Sequence, residues 1–364
     1  MKNQIPSLGG LRALSILFVF CGHLYGNGHI KNPALGYIGF VTDPALAVNI
    51  FFVISGFLIA SLLLKEEERF GDVSLKNFYL RRVIRIFPAY YFLVAVYLVL
   101  EFGFHLFTLP SWSWITTLTF TKYLSPIFDW ITAHFWSLSV EVHFYLLFPF
   151  IFKYFKKYRN QSLIFAVFLV CAVRLLIFLS VFDSHINNFA KRDVTMFQRG
   201  DGIAIGCLVA LNYYKVLAMA QWLKKWLRYP VVISFLLIYL YRCYFYNFHL
   251  HLGSLYNFFG IGVTSTFANV GIAVILVCAI EFSGTIFYKL LNLRFMEYIG
   301  KLSYSLYLWQ QLFIAEKPVY IVQRLPYNVF YVFGAALESY YLVERPFLNL
   351  RSKYNRQPKL AMSN

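Results

Sequence analysis

Arg12 and His23 share one apolar stretch, IPSLGGLRALSILFVFCGHL, at residues 5–24. Eleven residues at 1.5 Å each put them about 16 Å apart along a helix, and eleven steps of 100° return almost to the same face. A guanidinium and an imidazole stacked on one stripe of a bilayer-length helix cost several kcal/mol unless they face protein or water. One reading has Arg12 snorkelling to one interface and His23 at the headgroup level of the other. The other has both turned into the protein, where an imidazole that titrates near neutrality can exchange a proton with a substrate.

A second cationic cluster lies in FYLRRVIRIFPAY, where Arg81, Arg82 and Arg85 precede Pro88. Anchoring at the cytoplasmic interface would account for it. So would an anion clamp, because the planar guanidinium fork suits phosphate, and Arg12 is near enough in depth to join. Glu66, Glu67 and Glu68 read as a solvated face, and Glu338 as a structural partner for Arg12 or Lys301. Tyr304, Tyr307, Tyr340 and Tyr341 read as packing and interface belt.

These residues need elements to position them, and composition says which. The 364 residues are 60% hydrophobic and only 13% charged, with mean hydropathy +0.60 and 40 Phe. A soluble domain carries about 25% charged residues. The chain is therefore expected to be an all-α polytopic membrane protein, and its net charge of +17 is read as topology rather than as a nucleic-acid surface. Cys21, Cys171, Cys207, Cys243 and Cys278 lie in apolar runs without CxxC spacing, which points to small core residues and to no metal site. No cleavable leader is expected.

Apolar runs place about ten spanning helices near 8–25, 44–64, 86–104, 136–155, 162–182, 197–214, 228–247, 258–281, 296–316 and 326–344. Residues 111–122 are too short to span and read as interfacial or re-entrant. With the N-terminus inside, 22 Lys and Arg fall on the cytoplasmic side and 8 on the other, so both termini are expected in the cytoplasm. One membrane domain, 1–350, would precede a short basic tail, 351–364.

Orientation gives each polar residue a depth. His23, Asn49, Glu141, Arg174 and Arg199 then fall in one layer of the extracytoplasmic half, built by five helices. Buried ionisable groups in membranes pair with one another and mark functional sites.

Several stretches together resemble the membrane-bound acyltransferase-3 family, which includes O-acetylases of bacterial surface polysaccharides and Nod factors. LGGLRALSILFVFCGH is similar to the family's opening motif, through Arg12 and His23, and NIFFVISGFLI to its second-helix motif. FYLRRVIRIFPAYY resembles the Arg-x-x-Arg segment, through Arg82 and Arg85. HFWSLSVEVHFYLLFP resembles the Trp-Ser-Leu…Glu motif, with Ser137 and Glu141. IGKLSYSLYLWQ and SYYLVERPF resemble late motifs. The family commonly has Asp at the place of Gly9, Gln at that of His143 and His at that of Gln310. The last two are expected to bear on acceptor choice. The extra soluble domain of some members is not expected here, so a second transfer step would fall to another protein.

The resemblance implies transfer of an acyl group, usually acetyl from acetyl-CoA, to a sugar hydroxyl in the cell inner (plasma) membrane. Arg12, Arg82 and Arg85 would hold the coenzyme's phosphates at the inner face. His23 would be the general base and Glu141 would orient its imidazole. Asn49, Ser137, Arg174 and Arg199 would bind a lipid-linked or polymeric glycan arriving from outside. Direct transfer and an acyl-histidine intermediate are both open. No metal and no nucleic acid are implied. The rival class is a transporter or flippase of a lipid-linked sugar or small solute, which ten helices with buried charges also fit. Broken helices in matching halves would favour it.

Overall fold

The structure is a computed structural model that describes residues 5–30, 42–126, 129–180, 195–227, 234 and 254–350. Among these residues every regular element is helical. Six helices are long and apolar enough to cross a bilayer, and one further bent pair makes up to seven. The principal elements are α1 (Leu8–Gly26), α2 (Pro44–Phe70), α3 (Leu75–Leu98), α4 (Ser111–Leu118) and α5 (Phe135–Tyr154). After them come α6 (Arg159–Ser180), α7 (Asp201–Leu211), α8 (Tyr213–Leu227), α9 (Ser254–Glu281), α10 (Arg294–Phe313) and α11 (Tyr327–Glu338).

Three described runs depart from the expected ten spans, and the one at 326–344 does so because it is divided between α11 and a π-helical stretch, Ser339–Glu344. The run at 197–214 is interrupted: α7 has only 11 residues and meets the following helix at 90°. The run at 296–316 forms α10, whose charges and buried Ser and Gln side chains fit packing against protein rather than lipid. The run at 228–247 lies outside the described residues apart from Ser234, as does the tail from 351. The Trp-rich segment forms α4, eight residues long and too short to span, as expected. It is tied down by the buried Glu101, which accepts from Leu109 N (3.0 Å) and Trp114 Nε1 (3.0 Å).

Sequence dictates where the site-bearing helices begin and end. Asp43 caps α2 by accepting from Ala45 N at 2.9 Å, with Pro44 in the first turn. Gly71, in the left-handed region at φ 73°, ends it. Ser74 caps α3, so Arg82 and Arg85 fall three residues apart on one face. Where α2 and α7 cross, a Cβ on Gly56 would lie 1.9 Å from Ile203 O, and one on Gly206 would lie 2.1 Å from Val53 O. Only glycine lets backbones approach so closely, the usual device for packing helices in lipid.

Glu66 and Glu67 are staples rather than a solvated face. Glu66 is buried against Arg81 at 2.6 Å, and Glu67 pairs with Lys156 (2.6 Å) and Arg159 (2.7 Å). Cys207 and Cys278 are buried, Cys21 and Cys171 half-buried, and all four are free thiols. Cys243 lies outside the described residues.

Candidate active site

A cavity of about 940 Å³ runs between α1, α2, α3, α5 and α10. One end is lined by Ser7, Gly9, Lys65 and Lys301, the other by Val48, Ser137 and Tyr307. Between them lie Arg12, Arg82 and Arg85. None of these three guanidiniums makes an ion pair or hydrogen bond with a described residue. Arg81, one residue round the helix from Arg82, is spent on Glu66. Arg82 instead stacks over Phe78 and Tyr145, each ring centroid 5.2 Å away. Three guanidiniums lining one cavity without bonded counter-ions can receive an anion there.

Glu141 belongs to this cavity. Its Oε1 accepts from Ser55 Oγ and from Tyr145 OH. The expected pairing of Glu141 with His23 is not found among the described residues: Glu141 accepts from Ser55 and Tyr145, and His23 faces Gln310. Arg12 likewise has a different acid near it. Glu338 is exposed, whereas Glu344 is buried, accepts from Ser305 Oγ at 2.8 Å and lies within electrostatic reach of Arg12 and Arg85. Tyr304 and Tyr307, expected as packing, line the cavity.

His23 lies beyond the cavity lining, at the far end of α1. Its Nδ1 is 3.2 Å from Gln310 Oε1, and its ring packs edge-on to Trp130 at 5.3 Å. With the proton on Nδ1, the lone pair of Nε2 is left for a substrate. Gln310, expected to bear on acceptor choice, is thus the direct partner of His23. The next residue, Gln311, accepts at Oε1 from His134 N (3.1 Å) and faces His134 Nδ1 at 2.6 Å. His134 is within electrostatic reach of His23. Ser137 joins this region to the cavity: its Oγ is 2.6 Å from Tyr307 OH, which donates to His134 O at 2.9 Å.

The remaining expected residues form a separate polar seam. Arg174 on α6 donates to Gln198 O (2.6 Å), Thr266 Oγ1 (3.1 Å) and Asp201 Oδ1 (2.8 Å). Arg199 donates to Asn49 Oδ1 at 3.4 Å. None of Asn49, Arg174 and Arg199 lines the cavity, and the Arg174–Asp201 pair is buried on both sides. Among the described residues no cluster of His, Cys, Asp and Glu is placed to hold a metal ion.

Sequence reasoning gave no role to Tyr145, His134 and Glu344, and gave Gln310 a bearing on acceptor choice but no contact with His23. Tyr145 stands four residues from Glu141, on the same helical face. His134 opens the quoted Trp-Ser-Leu stretch, Gln310 closes one late motif and Glu344 sits inside the other. The signals were in the quoted segments.

Residues 5–316 match the family model described as an acyltransferase domain. The O-acetyltransferase OatA of Staphylococcus aureus (strain NCTC 8325 / PS 47) is 26% identical over 358 residues, covering 91% of this chain and 54% of that protein. The peptidoglycan O-acetyltransferase OatA of Listeria monocytogenes serovar 1/2a is 26% identical over 328 residues, covering 85% of this chain and 49% of that protein. The chain thus spans about half the length of the curated relatives it matches. No solved structure matches it significantly. With that match over most of its length, and with Arg12, His23, Arg82, Arg85 and Glu141 all on the helices that surround one cavity, the chain belongs to the acyltransferase-3 family of membrane acyltransferases.

Proposed function

We propose that the chain is an O-acetyltransferase of the inner (plasma) membrane. It moves acetyl from acetyl-CoA on the cytoplasmic side to a hydroxyl of an extracytoplasmic glycan of the cell wall. The observation that carries this reading is the set of three guanidiniums, Arg12, Arg82 and Arg85, lining one cavity with no bonded counter-ion among the described residues. The pyrophosphate and ribose phosphate of coenzyme A suit such a set. The positive-inside excess supports a cytoplasmic mouth beside Ser7, Lys65 and Lys301. Acetyl and glycan are suggested by the relatives' names, O-acetyltransferase and peptidoglycan O-acetyltransferase.

The pantetheine arm would run along the apolar wall of Phe51, Phe52 and Ile54 toward Ser137 and Tyr307. The roughly 16 Å between Arg12 and His23 is about the length of that arm. At the outer end Nε2 of His23 takes the proton of the glycan hydroxyl while its oxygen bonds to the thioester carbon. The C–S bond then breaks, and the departing thiolate receives the proton from the imidazolium. A route in which Nε2 first carries the acetyl group uses the same residues. Glu141, held by Ser55 and Tyr145, balances the cavity's cations instead of orienting His23. The acceptor roles of Asn49, Arg174 and Arg199 are secondary, since their side chains face one another and Asp201. One broken helix pair occurs among the described residues, but family membership favours acyl transfer over transport.

The test is acetyl-CoA binding to the purified protein in lipid nanodiscs, followed by calorimetry. Replacing Arg82 and Arg85 together with Ala should weaken binding at least about tenfold. Unchanged binding would remove the clamp.

A further inference from the structure

Two lysines stand at the mouth of the cavity, Lys65 on α2 and Lys301 on α10. Both are exposed, and neither is bonded to an acid among the described residues. The acids near them in sequence are engaged elsewhere or stand apart. Glu66 is held by Arg81 and accepts from Ser74 N, and Glu67 holds Lys156 and Arg159. Glu297, one turn before Lys301, lies against Gly9, where an added Cβ would meet its Cα at 3.5 Å and its Cγ at 3.8 Å. Glu68 and Glu338 are exposed. The cavity lining as a whole carries Arg12, Lys65, Arg82, Arg85 and Lys301 against Glu141 and Glu297, an excess of three positive charges. Glu344 stands near two of the guanidiniums without joining that lining.

The rim that presents Lys301 is fixed. A Cβ on Gly300 would lie 2.0 Å from Gly9 O, and one on Gly10 would lie 2.1 Å from Leu291 O. The start of α1 therefore meets α10 and the segment ahead of it backbone to backbone. Ser7 N donates to Asn292 Oδ1 at 2.9 Å, and Asn292 Nδ2 donates back to Ser7 Oγ at 2.7 Å. Lys301 adjoins Gly300 at this contact, whereas Arg12 follows Gly9 by one turn, about 4.5 Å deeper along α1. Ammonium and guanidinium are thus set at two depths, by a step that one ribose covers between its 5′ and 3′ oxygens. A guanidinium fork suits the paired oxygens of a pyrophosphate. An ammonium on a flexible stem at a wet mouth is a point charge and suits a phosphomonoester.

Resting on coenzyme A as the donor, we propose that Lys65 and Lys301 form a second anion subsite, which takes the ribose 3′-phosphate. The pyrophosphate is left to Arg12, Arg82 and Arg85. A phosphomonoester carries about −1.5 to −2 charges near neutrality, and the two ammoniums match it. The subsite selects the phosphorylated coenzyme over its dephospho form, which keeps the pyrophosphate and the whole pantetheine arm. It sets donor specificity and takes no part in the transfer step.

The experiment is calorimetry in nanodiscs of zwitterionic lipid, with coenzyme A and dephospho-coenzyme A each titrated into three proteins. These are wild type, Lys65→Gln combined with Lys301→Gln, and Arg82→Ala combined with Arg85→Ala. Wild type should bind coenzyme A at least about tenfold more tightly than the dephospho form. The lysine variant should bring the two ligands within about twofold of each other by weakening coenzyme A alone. The arginine variant should weaken both ligands and keep the ratio. Equal affinities in wild type, or a ratio that survives in the lysine variant, overturns the subsite and leaves the lysines as anchors at the lipid headgroups. A folded wild type that binds neither form overturns the donor reading on which the subsite rests.

Discussion

The guanidinium of Arg82 lies 5.2 Å from the centroid of the Tyr145 ring, and the hydroxyl of that ring donates to Glu141. One tyrosine therefore joins the cation proposed to meet the donor's phosphates to a carboxylate of the same cavity. Lysine in place of Arg82 keeps the charge but loses the planar stack and the fork. We expect Arg82→Lys to raise the KM for acetyl-CoA about tenfold with kcat little changed, measured in nanodiscs at constant salt.

Substitution at Tyr145 separates stacking from hydrogen bonding. Tyr145→Phe keeps the face under Arg82 and removes one of the two donors to Glu141. Its donor KM should stay within about threefold of wild type, whereas Tyr145→Ala should approach the Arg82→Lys value. Equal values for the two Tyr145 variants would show that the ring face contributes nothing.

The Arg174–Asp201 pair is held at 2.8 Å with side-chain exposures of 4% and 0%. Removing one charge leaves the other buried without it, at a cost of about 3–5 kcal/mol. Asp201→Asn should lower the melting midpoint in detergent clearly. Arg174→Met combined with Asp201→Leu should recover much of the loss, because two apolar groups need no pairing. A stable Asp201→Asn protein that fails only in glycan binding would return these residues to an acceptor site.

Lys122 is fully buried and reaches Asp129 at 2.7 Å, and Asp129 also accepts from Ser113 Oγ and Thr132 N. Burial disfavours the Asp129 carboxylate, but the Lys122 charge and these hydrogen bonds outweigh it and hold the carboxyl below its usual range. A depressed carboxyl contributes stability that is fully present above the ordinary Asp value near 4 and is lost as pH falls through the folded-state value. Asp129→Asn should therefore cost most near neutrality and progressively less below about pH 4. A loss independent of pH over that range would contradict the pairing.

The helices and the cationic wall were largely legible in the sequence. Arg82 and Arg85 sit three residues apart in a capped helix, so a shared face follows from spacing, and Arg12 reaches the same cavity by depth. Depth along the chain did not give the partners of Glu141, one of which, Ser55, stands on another helix. Partners between distant elements were not legible. Nothing local in α10 says that Gln310 meets a histidine 287 positions away, nor that Glu344 rather than Glu338 turns toward Arg12. The last case turns on a π-helical stretch, Ser339–Glu344, which shifts the face that an unbroken helix would present.

The most direct test is transfer itself. Purified protein in nanodiscs is given acetyl-CoA labelled in the acetyl group and a soluble peptidoglycan fragment, and label in the glycan is read as a base-labile ester. Wild type should transfer label, and His23→Ala, folded and binding acetyl-CoA normally, should transfer at least about 1,000-fold less. Full transfer by His23→Ala would contradict the assignment of the reacting base, and no transfer by a folded, donor-binding wild type would contradict the proposed reaction.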